Sequence, residues 1–189
     1  MTQDELRAIA NKALDLGAIQ IEPELLAFLE LIDNHRPQVG LEIGSWNYGT
    51  FYALRQLVSD LMISVDIDDK HAEVGRSFGG NTVIITGDSG RITTYDRVRA
   101  ALVDRPLDLL FIDGDHAYGS VKRDYELYSQ LVRSGGLIAF HDIKDTPFQR
   151  RLGNEVGKFW PECVGRKWEF KTRMYAHLDW GGIGVVQKD

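Results

Sequence analysis

Residues 109–124 read LLFIDGDHAYGSVKRD. The apolar run Leu109 to Ile112 reads as a buried strand. It stops abruptly at Asp113-Gly114-Asp115-His116, and an amphipathic pattern then begins. Burying charge without a partner is costly. Two carboxylates and an imidazole at such a strand end therefore either cap and solvate it or surround something bound there. The next helix carries Val121, Tyr125, Tyr128 and Val132 along one stripe. Ser134-Gly135-Gly136 is expected to stop that helix, and residues 137–140 form the following strand.

The same alternation extends in both directions. Strands are expected over 39–43, 61–65, 82–86 and 107–112, with a helix carrying Phe51, Leu54 and Leu57 and another over 95–103. Upstream, Thr2 and Glu5 form a capping-box pattern before Leu6, Ile9, Ala13 and Leu16, and Gly17 ends that helix. A second helix follows Pro23, with Leu25, Leu26, Phe28, Leu29 and Ile32 at helical spacing. Nearly continuous apolar strands between helices indicate an α/β fold with a mostly parallel sheet covered on both faces. The final third reads as a helix over 148–159 and two strands, 168–172 and 182–187, with no helical pattern between them. They form an antiparallel pair closing the sheet edge. No linker divides the chain. One domain is expected over 1–189, with N-terminal helices over 1–36, a candidate lid, and a core over 37–189.

Composition narrows the function. Hydrophobic residues make up 43% and charged residues 26%, and the formal net charge is −6. A general nucleic-acid or membrane-surface binder would more often be basic. No apolar stretch approaches the ~18 residues needed to span a bilayer. The segment MTQDELRAIANKALDLG lacks a signal-peptide core, and the lone Cys163 permits no intramolecular disulfide. A cytoplasmic protein without nucleic-acid or membrane partners is expected, with Cys163 as a packing residue.

In open α/β sheets, ligands bind beyond the carboxyl ends of the strands. Those ends here carry Glu42, Asp66, Asp88, Asp113 and Asp142, an acid each. Such a rim repels pyrophosphate. The dinucleotide pattern G-x-G-x-x-G is also broken, because Trp46 stands between Gly44 and Gly49. No lysine follows Gly49, so the phosphate-loop pattern fails as well. A nucleoside carrying positive charge suits the rim better, as S-adenosylmethionine does with its sulfonium and amino group. Asp66 follows Gly44 at close to the ~20 residues expected of a ribose-binding acid.

The ordered set E-I-G-S-x-x-x-G-T, S-V-D-I-D, G-D-S, F-I-D-G-D-H-x-Y-x-x-V-x-x-D and G-G-L-I-A-F-H-D-I spans about 39–143. It resembles the small class I S-adenosylmethionine-dependent methyltransferases. Within these it is similar to O-methyltransferases related to cephalosporin-biosynthesis and macrolide-sugar enzymes, and more distantly to catechol O-methyltransferase. The resemblance implies a Rossmann-like, doubly wound, seven-stranded sheet whose last strand is antiparallel, with G-I-G-V-V supplying that strand. It implies that Glu42, Gly44, Ser45, Trp46, Gly49 and Thr50 form the loop around the methionine part. Asp66 and Ile67 would lie at the ribose, Asp88 and Ser89 at the adenine, and Asp113 near the sulfonium. Tyr48 departs from the small residue common in that loop, and points away or lines the substrate side.

Methyl transfer to oxygen is an in-line displacement in which the acceptor must lose a proton. An unperturbed imidazole, with a pKa of ~6.5, is suited to take it. The resemblance assigns that role to His116, with Asp113 beside it. Metal-using relatives take their ligands from the ends of strands four and five, here Asp113, His141 and Asp142. Carboxylates there suit Mg²⁺. The nitrogen of His141 tilts the site toward another divalent metal or toward none. Asp115 is expected to cap the following helix. Trp46, Trp180 and Tyr118 are candidates to line the acceptor site, Trp160 and Trp168 to pack, and Lys144 to be solvated.

The expected partner is a small molecule bearing a hydroxyl. Oligomerisation is common among such relatives, which leaves a homo-oligomer open. The competing readings are a nicotinamide-dependent oxidoreductase, opposed by Trp46 and the acidic rim, and a non-catalytic S-adenosylmethionine-binding module, opposed by His116 and Asp113. Methylation of nitrogen in nucleic acid is disfavoured, since no N-P-P-Y-type stretch follows strand four.

Overall fold

Strand pairing sets the frame for everything else in the molecule. The computed structural model describes residues 1–173 and 179–189. In chain order the elements are α1 (Gln3–Asp15), α2 (Glu22–His35), β1 (Val39–Ile43), α3 (Gly49–Leu57), β2 (Leu61–Asp66), α4 (Ala72–Ser77), β3 (Asn81–Thr86), α5 (Ile92–Leu102), β4 (Leu107–Ile112), α6 (Tyr118–Tyr128), β5 (Val132–His141), α7 (Pro147–Arg151), α8 (Val156–Phe159), β6 (Arg166–Phe170) and β7 (Ile183–Gln187). The seven strands lie in the order β3-β2-β1-β4-β5-β7-β6. β7 pairs antiparallel with both β5 and β6, so it alone runs against the others.

The central strands have two apolar faces, and the core has two halves. Val39, Leu41 and Ile43 of β1 share one cluster with Val98, Val121 and Phe159. Phe111 of β4 faces the other way, into the cluster built by α1, α2 and α3, and stacks on Phe28 at 5.4 Å between ring centroids. This double burial explains why the strands read as continuous apolar runs rather than alternating ones.

The N-terminal helices are built as expected. The Thr2 hydroxyl accepts from Glu5 N, and the Glu5 carboxylate accepts from Thr2 N, which closes the capping box. Both helices pack on α3, and α2 also touches β6 and β7. Among the described residues no helix is long and apolar enough to cross a membrane.

Four local readings need correction. The stripe after His116 does not run to Val132. α6 ends at Tyr128, a 3-10 turn covers Ser129–Leu131, and Val132 already pairs with Leu107 in the sheet. Gly135 and Gly136 therefore sit inside β5 rather than ending a helix, and Gly135 adopts φ 75 while its N–H donates to Lys188 O. The helix over 148–159 is two short ones, broken where Gly153 takes φ 77 and the Asn154 side-chain oxygen Oδ1 accepts from Val156 N. α5 begins at Ile92, a turn earlier than read. α4 carries no periodic signal and was not expected. The segment between the last two strands lies partly outside the described residues.

Candidate active site

Strand order reverses between β1 and β4, and their carboxyl ends lie side by side with Ile43 opposite Ile112. Such a switch point opens a crevice. Asp113 N donates to Ile43 O at 2.8 Å, which ties the loop after β4 to the loop after β1. Gly44 must be glycine here. Its φ is 84, and a Cβ would meet Asp113 O at 2.2 Å and Gly114 Cα at 2.6 Å.

The loop after β1 is held from below by acids. Asp66 Oδ2 accepts from Ser45 N and Trp46 N, both at 2.8 Å, and Asp66 Oδ1 accepts from Asp68 N. Glu42 is wholly buried beneath the loop, where its carboxylate accepts from the Ser45 hydroxyl at 2.5 Å. Burial pushes the Glu42 carboxyl well above its ordinary range. Glu42 thus supports the loop and does not line the cleft. Gly49 lies against the α1–α2 turn, where a Cβ would meet Ala13 O and Ala18 N at 2.4 Å. Tyr48 points away from the cleft into the core, with its ring edge-on to Phe51.

Two cavities, each of about 540 Å³, meet at Gly44, Trp46, Asp113 and Gly114. The first is lined by Asp66, Ile67, Asp88, Ser89, Asp115 and Arg123, among others. It gathers the expected ribose and adenine residues on one side of the boundary. Asp88 accepts from Gly90 N at 2.8 Å, and Ile67 and Trp46 stand exposed at the rim.

The second cavity holds the ionisable cluster. His116 Nε2 lies 3.4 Å from Asp113 Oδ1, and His116 Nδ1 lies 3.4 Å from Asp142 Oδ2. His141 Nδ1 lies 3.1 Å from Asp113 Oδ1. Burial favours the neutral form of each imidazole, but the carboxylates outweigh it. His116 is raised above its ordinary value, and His141 reaches about 9. Burial raises Asp113 too, yet the two imidazoles hold it below the usual carboxylate range. Thr50, expected in the loop, also lines this cavity.

The three expected metal ligands are brought together, but their donor atoms are engaged except for His141 Nε2, which is buried without a partner among the described residues. Asp142 Oδ1 accepts from Gln149 Nε2 at 2.8 Å and Gly181 N at 3.1 Å, while Oδ2 accepts from Asn154 Nδ2 at 2.7 Å. Asp113 Oδ2 accepts from Gln20 Nε2 at 3.0 Å, and His141 Nδ1 is turned to the other Asp113 oxygen. Among the described residues no three His, Cys, Asp or Glu side chains are arranged to hold a metal ion. The donor set does not fit one.

Other expectations divide. Asp115 accepts from Ala117 N and the Ser120 hydroxyl, as a helix-start residue does. Trp180 lines the second cavity, and Trp160 packs in the core. Cys163 is buried, and burial pushes its thiol up to about 12. Tyr118 is turned elsewhere, with its hydroxyl donating to Glu162 and its ring against Phe159. Lys144 is buried rather than solvated, donating to Thr172 O, Trp180 O and Asp179. Sequence reading missed Gln20, Gln149 and Asn154. None sits in a motif, and a buried amide leaves no periodic trace.

Comparison with known proteins places this geometry. Residues 41–143 match a family model described as a methyltransferase domain. A mimivirus protein, uncharacterized protein R132 of Acanthamoeba polyphaga mimivirus, is 42% identical over 68 residues, 34% of this chain and 31% of that protein. The chain thus spans about a third of that curated relative. Among solved structures, the O-methyltransferase from Bacillus cereus in complex with SAH is 20% identical, with a TM-score of 0.64, over 98% of this chain and 90% of that one. The mycinamycin-pathway methyltransferase MycE, in complex with Mg and SAH, is 18% identical, with a TM-score of 0.65, over 97% and 54%. These likenesses under a quarter identity establish the shared fold.

Proposed function

The chain belongs to this methyltransferase-domain family, and from that premise we propose that it moves a methyl group from S-adenosylmethionine to a hydroxyl oxygen of a small molecule, with His116 as general base. The observation that carries the reading is the position of His116. It stands between Asp113, which borders both cavities, and Asp142, in the cavity next to the loop that follows β1. Trp46 between Gly44 and Gly49 and the acids at the strand ends oppose a nicotinamide oxidoreductase, and a pure binding module has no use for an oriented base.

Bound S-adenosylmethionine supplies an activated methyl group on a sulfonium leaving group. Asp66, Ile67, Asp88 and Ser89 would hold the nucleoside end, and Gly44 and Trp46, which border both cavities, with Ser45 on the side of the second, the amino-acid end. Gly49 and Thr50 start the helix that backs this loop, and Glu42 braces it from beneath. The buried Asp113, kept ionised by the two imidazoles, would present negative charge to the sulfonium. Nδ1 of His116 faces Asp142 and Nε2 faces Asp113, which borders both cavities. As base, the neutral ring would take the hydroxyl proton at Nε2, and the two carboxylates would stabilise the imidazolium that forms. The apolar walls exclude water and align the acceptor oxygen, which is most of what a displacement with a good leaving group requires.

These roles fall to the chain's own side chains. MycE is described with Mg, so transfer is to be compared in chelator and in added Mg²⁺ or Mn²⁺. Residues 1–36 act here as a wall, since Gly17, Ala18 and Ile19 line the acceptor cavity, and residues 1–189 act as one catalytic unit in the cytoplasm. The test is transfer of a labelled methyl group from S-adenosylmethionine to a panel of small alcohols and phenols. Label recovered as a methyl ether supports the reading. Label appearing only on nitrogen or sulfur sinks it.

A further inference from the structure

We infer that the second cavity takes an uncharged, largely apolar acceptor built on a flat ring and carrying one reacting hydroxyl, in preference to sugars and to carboxylated or phosphorylated compounds. This rests on the methyl-transfer reading and goes beyond it to the acceptor's chemistry.

The walls are apolar and partly aromatic: Ile19, Trp46, Phe148, Leu152 and Trp180. Ile19 is 63% exposed, and Trp46 and Leu152 are each 66% exposed. Large apolar side chains left in water around a concave wall mark a surface that gains by being covered. Trp180 is a fixed wall. Its carbonyl accepts from the buried Lys144 Nζ at 2.7 Å, and its ring stands edge-on to His141. A rigid aromatic face favours a planar partner.

The polar groups argue against the alternatives. Among the described residues, no lysine or arginine lines the cavity, and the charged groups there are Asp113 and Asp142, with two imidazoles already facing them. An acceptor carrying carboxylate or phosphate would bury its charge beside carboxylates with no cation of its own. A sugar requires several hydrogen-bonding partners. The two amides at the base of the cavity, Gln149 and Asn154, are buried and donate to Asp142, and Asn154 Oδ1 is taken by Val156 N. Hydroxyls of a sugar would lose their water and find these groups committed. With the carboxylates tied up in the same way, an acceptor has no need of a second hydroxyl to chelate a cation.

The experiment gives the full-length protein and S-adenosylmethionine three acceptors: a naphthol, the matching hydroxynaphthoate, and a methyl glucoside. S-adenosylhomocysteine release is measured for each. Naphthol binding to the S-adenosylhomocysteine complex is followed separately by tryptophan fluorescence. Efficiency on naphthol should exceed that on either alternative by about tenfold or more. Leu152→Ser, on the outer wall, should weaken naphthol binding by about tenfold and leave S-adenosylhomocysteine affinity unchanged. Equal or better methylation of the glucoside or the naphthoate would overturn the inference, as would a failure of naphthol to bind the complex. If S-adenosylhomocysteine itself does not bind, the methyl-transfer reading falls, and this inference with it.

Discussion

Asn154 Nδ2 donates to Asp142 Oδ2 at 2.7 Å, and that same oxygen lies 3.4 Å from His116 Nδ1. A buried amide thus fixes the carboxylate that faces the candidate base. Asp142 holds a left-handed backbone, φ 62, at the end of β5, a conformation that costs a non-glycine residue roughly 1–2 kcal/mol. Donors from Gln149, Asn154 and Gly181 surround its carboxylate and hold it there.

Asn154 is therefore a positioning residue. Asn154→Ala should lower kcat by about tenfold or more, because misplacing a reacting group slightly is expensive in rate. S-adenosylhomocysteine affinity should hold. Steady-state kinetics beside a binding titration separates these quantities. A variant with normal kcat would show that Asp142 does not need this support.

Replacing the proposed base itself goes further. His116→Gln should lower kcat by about 10²–10⁴-fold, the range that proton transfer by a side chain contributes. Cofactor affinity should survive, since His116 lines the second cavity and not the one that gathers Asp66, Asp88 and Ser89. Unchanged turnover would remove His116 from the chemistry.

The Lys144–Glu24 pair ties α2 to the acceptor wall. Glu24 accepts from Thr172 N and Gly182 N, and Lys144 Nζ lies 3.4 Å from it. Removing one partner of a buried pair leaves the other charge uncompensated, at about 3–5 kcal/mol. Lys144→Met should lose stability on that scale, read by chemical denaturation. The double variant with Glu24→Gln should lose less than the two single changes summed. Strict additivity would mean that the two groups are not coupled.

Asp124 carries a pH dependence. It is buried, one carboxylate oxygen lacks a partner among the described residues, and burial raises its pKa to about 6. The folded state thus holds this proton more tightly than the unfolded chain does. Its contribution is fully present below the unfolded value near 3.8 and is lost as pH rises through about 6. Asp124→Asn should stabilise the protein near pH 7.5 by on the order of 3 kcal/mol, and should give no such gain near pH 4. Denaturation at both pH values checks this, and equal effects at both would contradict it.

The sheet was legible because burial on both faces leaves an unmistakable apolar run. Leu107 to Ile112 could hardly be anything else, and the acids at the strand ends then marked the rim. Asp113 and His116 stood in an ordered motif, so the cluster was visible before the fold was. What stayed hidden depends on partners distant in sequence. Lys144 looks like a solvated lysine until Glu24 and the backbone near Trp180 close around it. Asn154 follows a glycine in what reads as one helix, and its capping of Val156 divides that helix in two. Asp142 and His141 were read as ligands by position, but the amides that occupy Asp142 come from Gln149 and Asn154, which no spacing announced.

The central claim is that the crevice at the β1–β4 switch point holds an adenosyl cofactor. Calorimetric titration of the purified, chelator-treated protein with S-adenosylhomocysteine, with NAD as comparator, tests it most directly. Saturable one-site binding of the adenosyl compound, weakened by Asp66→Ala and absent for NAD, is the predicted result. Binding of NAD in its place, or no adenosyl binding with or without Mg²⁺ and Mn²⁺, would contradict the account.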